Sequence, residues 1–350
     1  MRDRFWVGLT GLAITLGVSA LSAQVRAQVR AEHAAPAPLA RAEIAATVER
    51  VAALAETRYV IPETGARYAA ALRAHAAAGR YAALTDRRAL AERLTADLQA
   101  VAPDGHLRVV LPTAAPSPGT SQTWRQEIAP GIIEARWLGG GTALIAFRSF
   151  SDRPDATTAL KRFLADHRDA RALIIDCRDN RGGSFDALGI LGDALFDRER
   201  PLLAMDLAEP VATRFGMPFP IGPELRPTAG PAGLTRVVHW AVPARAAAPL
   251  GKVPVYLLTS RRTFSAAEHL TMALKVTGRA TLVGETTGGG NHFGGTEPVG
   301  AGLEMFVPAG RTSDLETGRD WEGVGVEPDI RVPADQALDA ALRHMAKAAS

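Results

Sequence analysis

The sequence predicts an α/β fold with a small helical unit on its N-terminal side. Three observations predict it. Residues 41–101 are rich in alanine and place apolar side chains at helical spacing. From about residue 130, short wholly apolar runs of strand length alternate with helix-periodic stretches, as parallel strands buried on both faces do. Two of those runs end in tight polar or glycine-bearing turns immediately ahead of a helix.

Taken in order, Met1–Arg4 and the apolar stretch Phe5–Leu21 read as a leader with small residues at Ala20, Ser22, Ala23 and Ala27. Cleavage is expected after Ser22, Ala23 or Ala27, which makes 1–23 a signal peptide and the chain an exported protein. The apolar run is a little shorter than the about 20 residues a spanning helix needs, and an uncleaved run would be a membrane anchor. Residues 24–40, ending in the Pro-containing Ala34–Leu39, form a linker. Three helices follow within a helical unit over 41–111. Ile44, Val48, Val51 and Leu54 share a face of the first; Tyr68, Ala71, Leu72 and His75 line the second, with His75 expected at the surface. Leu90, Leu94 and Leu98 line the third, from Asp86 to Ala100.

The period changes at Ala102–His106, a turn, and Leu107–Leu111 reads as a strand. Thr113–Ser121 is a proline-containing loop. Within the core, 112–350, further strands are predicted at Gly131–Trp137, Thr142–Phe147, Ala172–Cys177, Val253–Leu258 and Ala280–Val283. Helices are predicted at Leu160–His167, at Asp186–Phe196 and from Ser265. Pro201–Gly233, dense in proline and glycine, reads as a long ordered surface excursion.

Composition narrows the function. Among 350 residues, 40 are basic and 37 acidic, without a basic run or interleaved aromatics, so no nucleic-acid partner is expected. Cys177 is the single cysteine, which excludes an intrachain disulfide and a cysteine-held zinc. The eight histidines form no compact ligand set, so no metal is expected, and no loop has phosphate-binding spacing. No cofactor is implied.

Two junctions could carry chemistry. After Val253–Leu258 comes a polar turn, then Ser265 at the start of a helix, where free N–H groups and the helix dipole favour developing negative charge. Ser265-Ala-Ala-Glu268 also matches a capping box, whose serine and glutamate only satisfy backbone donors. The second junction, Asp176–Ser184, holds Gly182 and Gly183. Paired glycines permit positive φ and converging N–H groups, or simply a tight turn. A serine needs a base. His106, in a loop with Asp104 two residues before, is one candidate; His292 beside Gly288–Gly290 competes, and His269 lies one turn beyond Ser265. Trp321–Asp329 is turn-rich, with carboxylates of surface type.

Several of these segments together resemble the C-terminal-processing and tricorn-type serine protease family, in the branch shared with interphotoreceptor retinoid-binding protein. They are Asp104-Gly-His106-Leu107, Ile174–Gly183, Thr263–Glu268, Gly278–Gly288 and Trp321–Ile330. The resemblance implies a crotonase- or ClpP-like core with Ser265 as nucleophile. The oxyanion donors would be the backbone N–H groups of Ala266 and of Gly182 or Gly183. Members with a lysine base carry it where this chain has Thr286. The four lysines are 161, 252, 275 and 347, and Lys275 lies ten residues along the helix from Ser265, roughly 15 Å away. The tricorn-type branch instead uses a histidine and a glutamate, matching His106 and Glu322, with Gly105 where tricorn has a serine.

The stretch Leu111–Thr142 is too short for an inserted PDZ domain of at least about 50 residues. The implied function is a serine peptidase acting on peptides or proteins through an acyl-enzyme. An esterase using the same residues, or a non-catalytic binder of apolar, retinoid-like ligands, is the alternative. A histidine base works only when neutral, so activity is expected to fall as pH drops through roughly 6 to 7.

Overall fold

In the computed structural model, residues 37–112, 127–243 and 250–348 are described. The leader, most of the linker and the Thr113–Ser121 loop lie outside these residues. The chain divides into two compact units at Leu39/Ala40, and the second, residues 40–350, holds every helix and strand among the described residues.

Three helices open this unit: α1 (Arg41–Arg58), α2 (Pro62–Ala77) and α3 (Arg87–Val101). They bury the residues their spacing indicates, with Ile44, Val48, Val51, Leu72, Leu90, Leu94 and Leu98 each at most 2% exposed. Proline starts α2, where a missing N–H costs nothing. Asp86 caps α3 by accepting the Ala89 N–H at 2.8 Å. His75 is half-buried, not a free surface residue: its Nδ1 lies 3.0 Å from Asp97 Oδ2.

Twelve strands then build two six-stranded sheets among the described residues. The sheet that positions the chemistry runs β12 (Ile330–Arg331), β9 (Thr281–Gly284), β8 (Val255–Thr259), β4 (Ala172–Asp176), β3 (Thr142–Phe147) and β2 (Ile132–Trp137). Every pairing in it is parallel except β2 with β3. Alternate residues serve opposite faces. Ile145, Phe147, Leu173, Ile175, Leu257 and Leu282 pack under α4 (Pro154–Asp166), α5 (Asp186–Leu195) and α7 (Ala266–Val276). Leu144, Ile174, Tyr256, Leu258 and Val283 pack under the C-terminal helix α8 (Ala337–Ala348). Both faces are covered, which explains why β3, β4 and β8 read as continuous apolar runs.

The second sheet is antiparallel and was not expected. Its order is β1 (Arg108–Val110), β11 (Leu303–Ser313), β5 (Arg200–Ala208), β7 (Leu234–Ala241) and β6 (Leu225–Thr228), with β10 (Phe293–Gly300) also on β11. Pro201–Gly233 is therefore not one surface excursion. Its first part, β5, is an interior strand with Leu202–Ala208 buried; only the helix α6 (Glu209–Phe215) and the loop to β6 run along the outside. Two of its prolines misled because they sit where a strand tolerates one. Pro201 lies at a register shift near the start of β5, and Pro227 is on the edge strand β6.

Candidate active site

The C-terminal ends of β4 and β8 lie side by side, so the two junctions leaving them meet. Four hydrogen bonds shape and fasten them. Ser260 Oγ donates to the Arg178 carbonyl (2.6 Å), Thr263 Oγ1 to that of Cys177 (2.8 Å), the Phe264 N–H to that of Asn180 (3.0 Å), and the Ser260 N–H to Thr263 Oγ1 (2.9 Å). Between this turn and α7 stands Ser265, at φ 57° and ψ −125°, a left-handed backbone unusual for a residue with a side chain. Such strain, typically about 1–3 kcal/mol, persists only where neighbours over-determine it.

At Gly182, with φ 92°, a Cβ would stand 2.7 Å from Ser265 Cβ and 2.9 Å from the Ala266 nitrogen. Only glycine lets the junctions approach this closely. Its N–H is taken by Asn180 Oδ1 at 2.9 Å. The N–H groups of Gly183 and Ala266 have no acceptor among the described residues. Of the two glycines considered, Gly183 therefore offers the open donor, and Gly182 supplies clearance.

His106 is brought to the serine from 159 residues upstream, its Nε2 3.0 Å from Ser265 Oγ. The ring lies between Phe264 and Phe306, centroids 4.7 and 5.5 Å away. Burial pushes it down to about 4, against the pull of Asp104 in the other direction. A ring this reluctant to hold a proton is neutral, as a base must be.

Glu322 reaches the same place but does not bond to the ring as expected. Its Oε1 accepts the Gly105 N–H (3.0 Å), and Oε2 accepts those of Asn291 (2.7 Å) and His292 (2.9 Å). His106 Nδ1 has no hydrogen-bond partner among the described residues. With no side chain at Gly105, the carboxylate takes the exposed backbone N–H there. Burial, then Asp104, holds the Glu322 carboxyl above its ordinary range.

The rival histidines are committed elsewhere. His292 Nδ1 lies 2.7 Å from Asp104 Oδ2 and makes no bond to Ser265. His269 Nε2 lies 2.8 Å from His239 Nδ1 in a buried pair, and burial lowers both rings. Lys275 is remote, its Nζ on the Glu327 carbonyl.

Three residues whose weight is not apparent from the sequence complete the site. Asp104, 2% exposed, accepts the His106 and Leu107 N–H groups on Oδ1 (2.8 and 3.0 Å) and the Tyr59 hydroxyl on Oδ2 (2.9 Å). Tyr59 itself comes from the end of α1. Glu268 is fully buried and accepts the Ser265 N–H (3.0 Å), Thr287 Oγ1 (2.5 Å) and the N–H groups of Gly289 and Gly290 (both 2.7 Å). It ties the glycine-rich loop to the serine turn, well beyond helix capping. Atoms of Asp104, His106 and Glu322 lie within 4.8 Å of one another, as metal ligands can. Each Asp104 oxygen already meets two hydrogen-bond partners, so the trio is a hydrogen-bonding set, not an open cage.

Residues 141–332, more than half of the chain, match Peptidase family S41, and residues 32–135 match the N-terminal domain of Peptidase S41 in eukaryotic IRBP. Among solved structures, a candidate peptidase of Parabacteroides merdae is similar at a TM-score of 0.58 and 17% identity, covering 86% of this chain and 96% of that one. A lipoprotein of Streptococcus agalactiae gives 0.54 and 14%, covering 90% and 98%. The photosystem II D1 C-terminal processing protease gives 0.50 and 17%, covering 86% and 96%. At these identities the likeness speaks to the shared fold.

Proposed function

The chain belongs to Peptidase family S41, and from that premise we propose that it is an exported serine peptidase working through an acyl-enzyme at Ser265. The observation that carries this reading is the 3.0 Å contact between His106 Nε2 and Ser265 Oγ at the head of α7. His106 takes the hydroxyl proton as Oγ attacks the scissile carbonyl. The carbonyl oxygen, now anionic, lies toward the Gly183 and Ala266 N–H groups and the positive end of the helix dipole. His106 then returns the proton to the leaving amine, and water releases the acyl group by the same steps reversed. Peptide or protein is the substrate class, with water as the second nucleophile.

Export rests on the charged start and apolar run ahead of Ser22. Among the described residues no helix is long and apolar enough to cross a membrane. Protein recovered from its native host should begin between about Ala23 and Gln28.

A fluorophosphonate probe tests the chemistry. Mass mapping should place the label on Ser265, and Ser265→Ala should remain folded and unlabelled. A folded wild type that resists labelling while retaining an apolar ligand would instead favour a binding protein.

A further inference from the structure

In a serine, histidine and acid set, the acid accepts the second ring N–H of the histidine, fixing its tautomer and stabilising the imidazolium as it forms. Here His106 Nδ1 is unpartnered among the described residues, and Glu322 has committed both oxygens to backbone groups. We propose that His292 is a positioning residue for His106, clamped between Asp104 and Glu322 and acting through both. This rests on the peptidase reading above, in which His106 is the base for Ser265.

The geometry closes a ring around the base. From His292 one route runs through its Nδ1 to Asp104 Oδ2 (2.7 Å), and from Asp104 Oδ1 to the His106 N–H (2.8 Å). The other runs from the His292 N–H to Glu322 Oε2 (2.9 Å), and from Glu322 Oε1 to the Gly105 N–H (3.0 Å). Both residues of the Gly105–His106 step are therefore anchored to one residue of the glycine-rich loop, 3% exposed. Tyr59 OH, 3.4 Å from His292 Nδ1, donates to the same Asp104 oxygen. Losing the His292 ring would leave Asp104 buried with a phenol as its remaining side-chain partner.

The charges point the same way. Burial pulls His292 down, but Asp104, Glu322 at 3.8 Å and the more distant Asp320 outweigh it, so its pKa ends above the ordinary value. His292 therefore holds its proton more readily than a free imidazole, beside the carboxyl groups of Asp104 and Glu322. When protonated it offsets the Asp104 charge that would otherwise draw a proton onto the resting base, as the Arg108 guanidinium on β1 also does.

The test is the pH profile of fluorophosphonate labelling in wild type and His292→Gln, with imidazole NMR titration of wild type. Glutamine keeps a donor for Asp104 and removes the charge. In wild type the His292 ring should be protonated at pH 6 and titrate above a free imidazole. In His292→Gln labelling should slow about 10- to 100-fold, as misplacement of a reacting group does. Its acid limb should move up by about one pH unit or more, since uncompensated carboxylates raise a histidine.

A purely structural role would slow labelling without moving the limb, and that result overturns the proposal. So does a His292 ring that is neutral at pH 6 in wild type, a measurement that stands even if His292→Gln does not fold. Loss of labelling in folded His292→Gln, with His106→Gln still labelled, would make His292 itself the base and also overturn it. Wild type unlabelled at every pH sinks the peptidase reading. A labelled wild type whose limb is unchanged in His292→Gln sinks this inference alone.

Discussion

Gly182→Ala probes the junction most directly, because the added atom has a known destination. Its Cβ would meet Ser265 Cβ at 2.7 Å, the Ala266 nitrogen at 2.9 Å and the Phe264 carbonyl oxygen at 2.9 Å. Ordinary contact begins near 3.4 Å, so the serine turn must retreat by about 0.7 Å or the β4 junction must open by as much. The backbone at φ 92° adds strain of about 1–3 kcal/mol for a residue with a side chain. A displacement approaching 1 Å can cost about 100-fold in rate, or about 2.7 kcal/mol of transition-state stabilisation. The assay is the second-order rate of labelling at Ser265, with thermal unfolding measured in parallel. Labelling should fall about 100-fold while the protein stays folded with a melting point lower by a few degrees. Labelling at the wild-type rate would mean that the junction does not press on Ser265, and the reasoning from clearance would be wrong.

Further outcomes follow from burial. With His106 held down at about 4, its neutral form persists well below the 6 to 7 expected from an ordinary histidine. Labelling should therefore survive to about pH 5 and fall through about pH 4, and His106→Ala should lower it by several orders of magnitude at any pH. The unfolded chain binds this proton more readily than the folded one. The His106 contribution to stability therefore declines as pH falls from 6.5 toward 4, which acid unfolding curves of wild type and His106→Gln would compare. Glu268→Ala strips the acceptor from four donors in a fully buried site and should cost at least about 3 kcal/mol in urea unfolding. A loss below about 1 kcal/mol would reduce Glu268 to a capping residue.

The elements that carry Ser265 were legible because their signals are local. Four apolar residues in a row at β4 and β8, then a turn, then helical spacing, require only neighbours in sequence to be read. The antiparallel sheet was not legible, since β10 reads as a glycine-rich loop and is made a strand by pairing with β11. Site chemistry divides in the same way. Ser265 and the glycine pair announce themselves by position ahead of helices. Asp104 and His292 meet across 188 residues, so no spacing rule connects them. Glu268 does match a local motif, and that match hid its longer-range work on Gly289 and Gly290. Which glycine keeps an open N–H depended on where the Asn180 side chain turned, a rotamer rather than a pattern.

The distance along the chain between His106 and Ser265 bears on how the protein is made. His106 emerges from the ribosome 159 residues before Ser265, and the Trp321–Glu322 turn follows later still. Until β11 is complete at Ser313 the strand β1 has no partner, and until Glu322 has been synthesised the Gly105 N–H and the His292 loop lack their common acceptor. A nascent or truncated chain would thus carry Ser265 without a positioned His106. On the proposed reading, competence would arrive only once the segment around Glu322 has joined the fold, so it would lag the synthesis of Ser265.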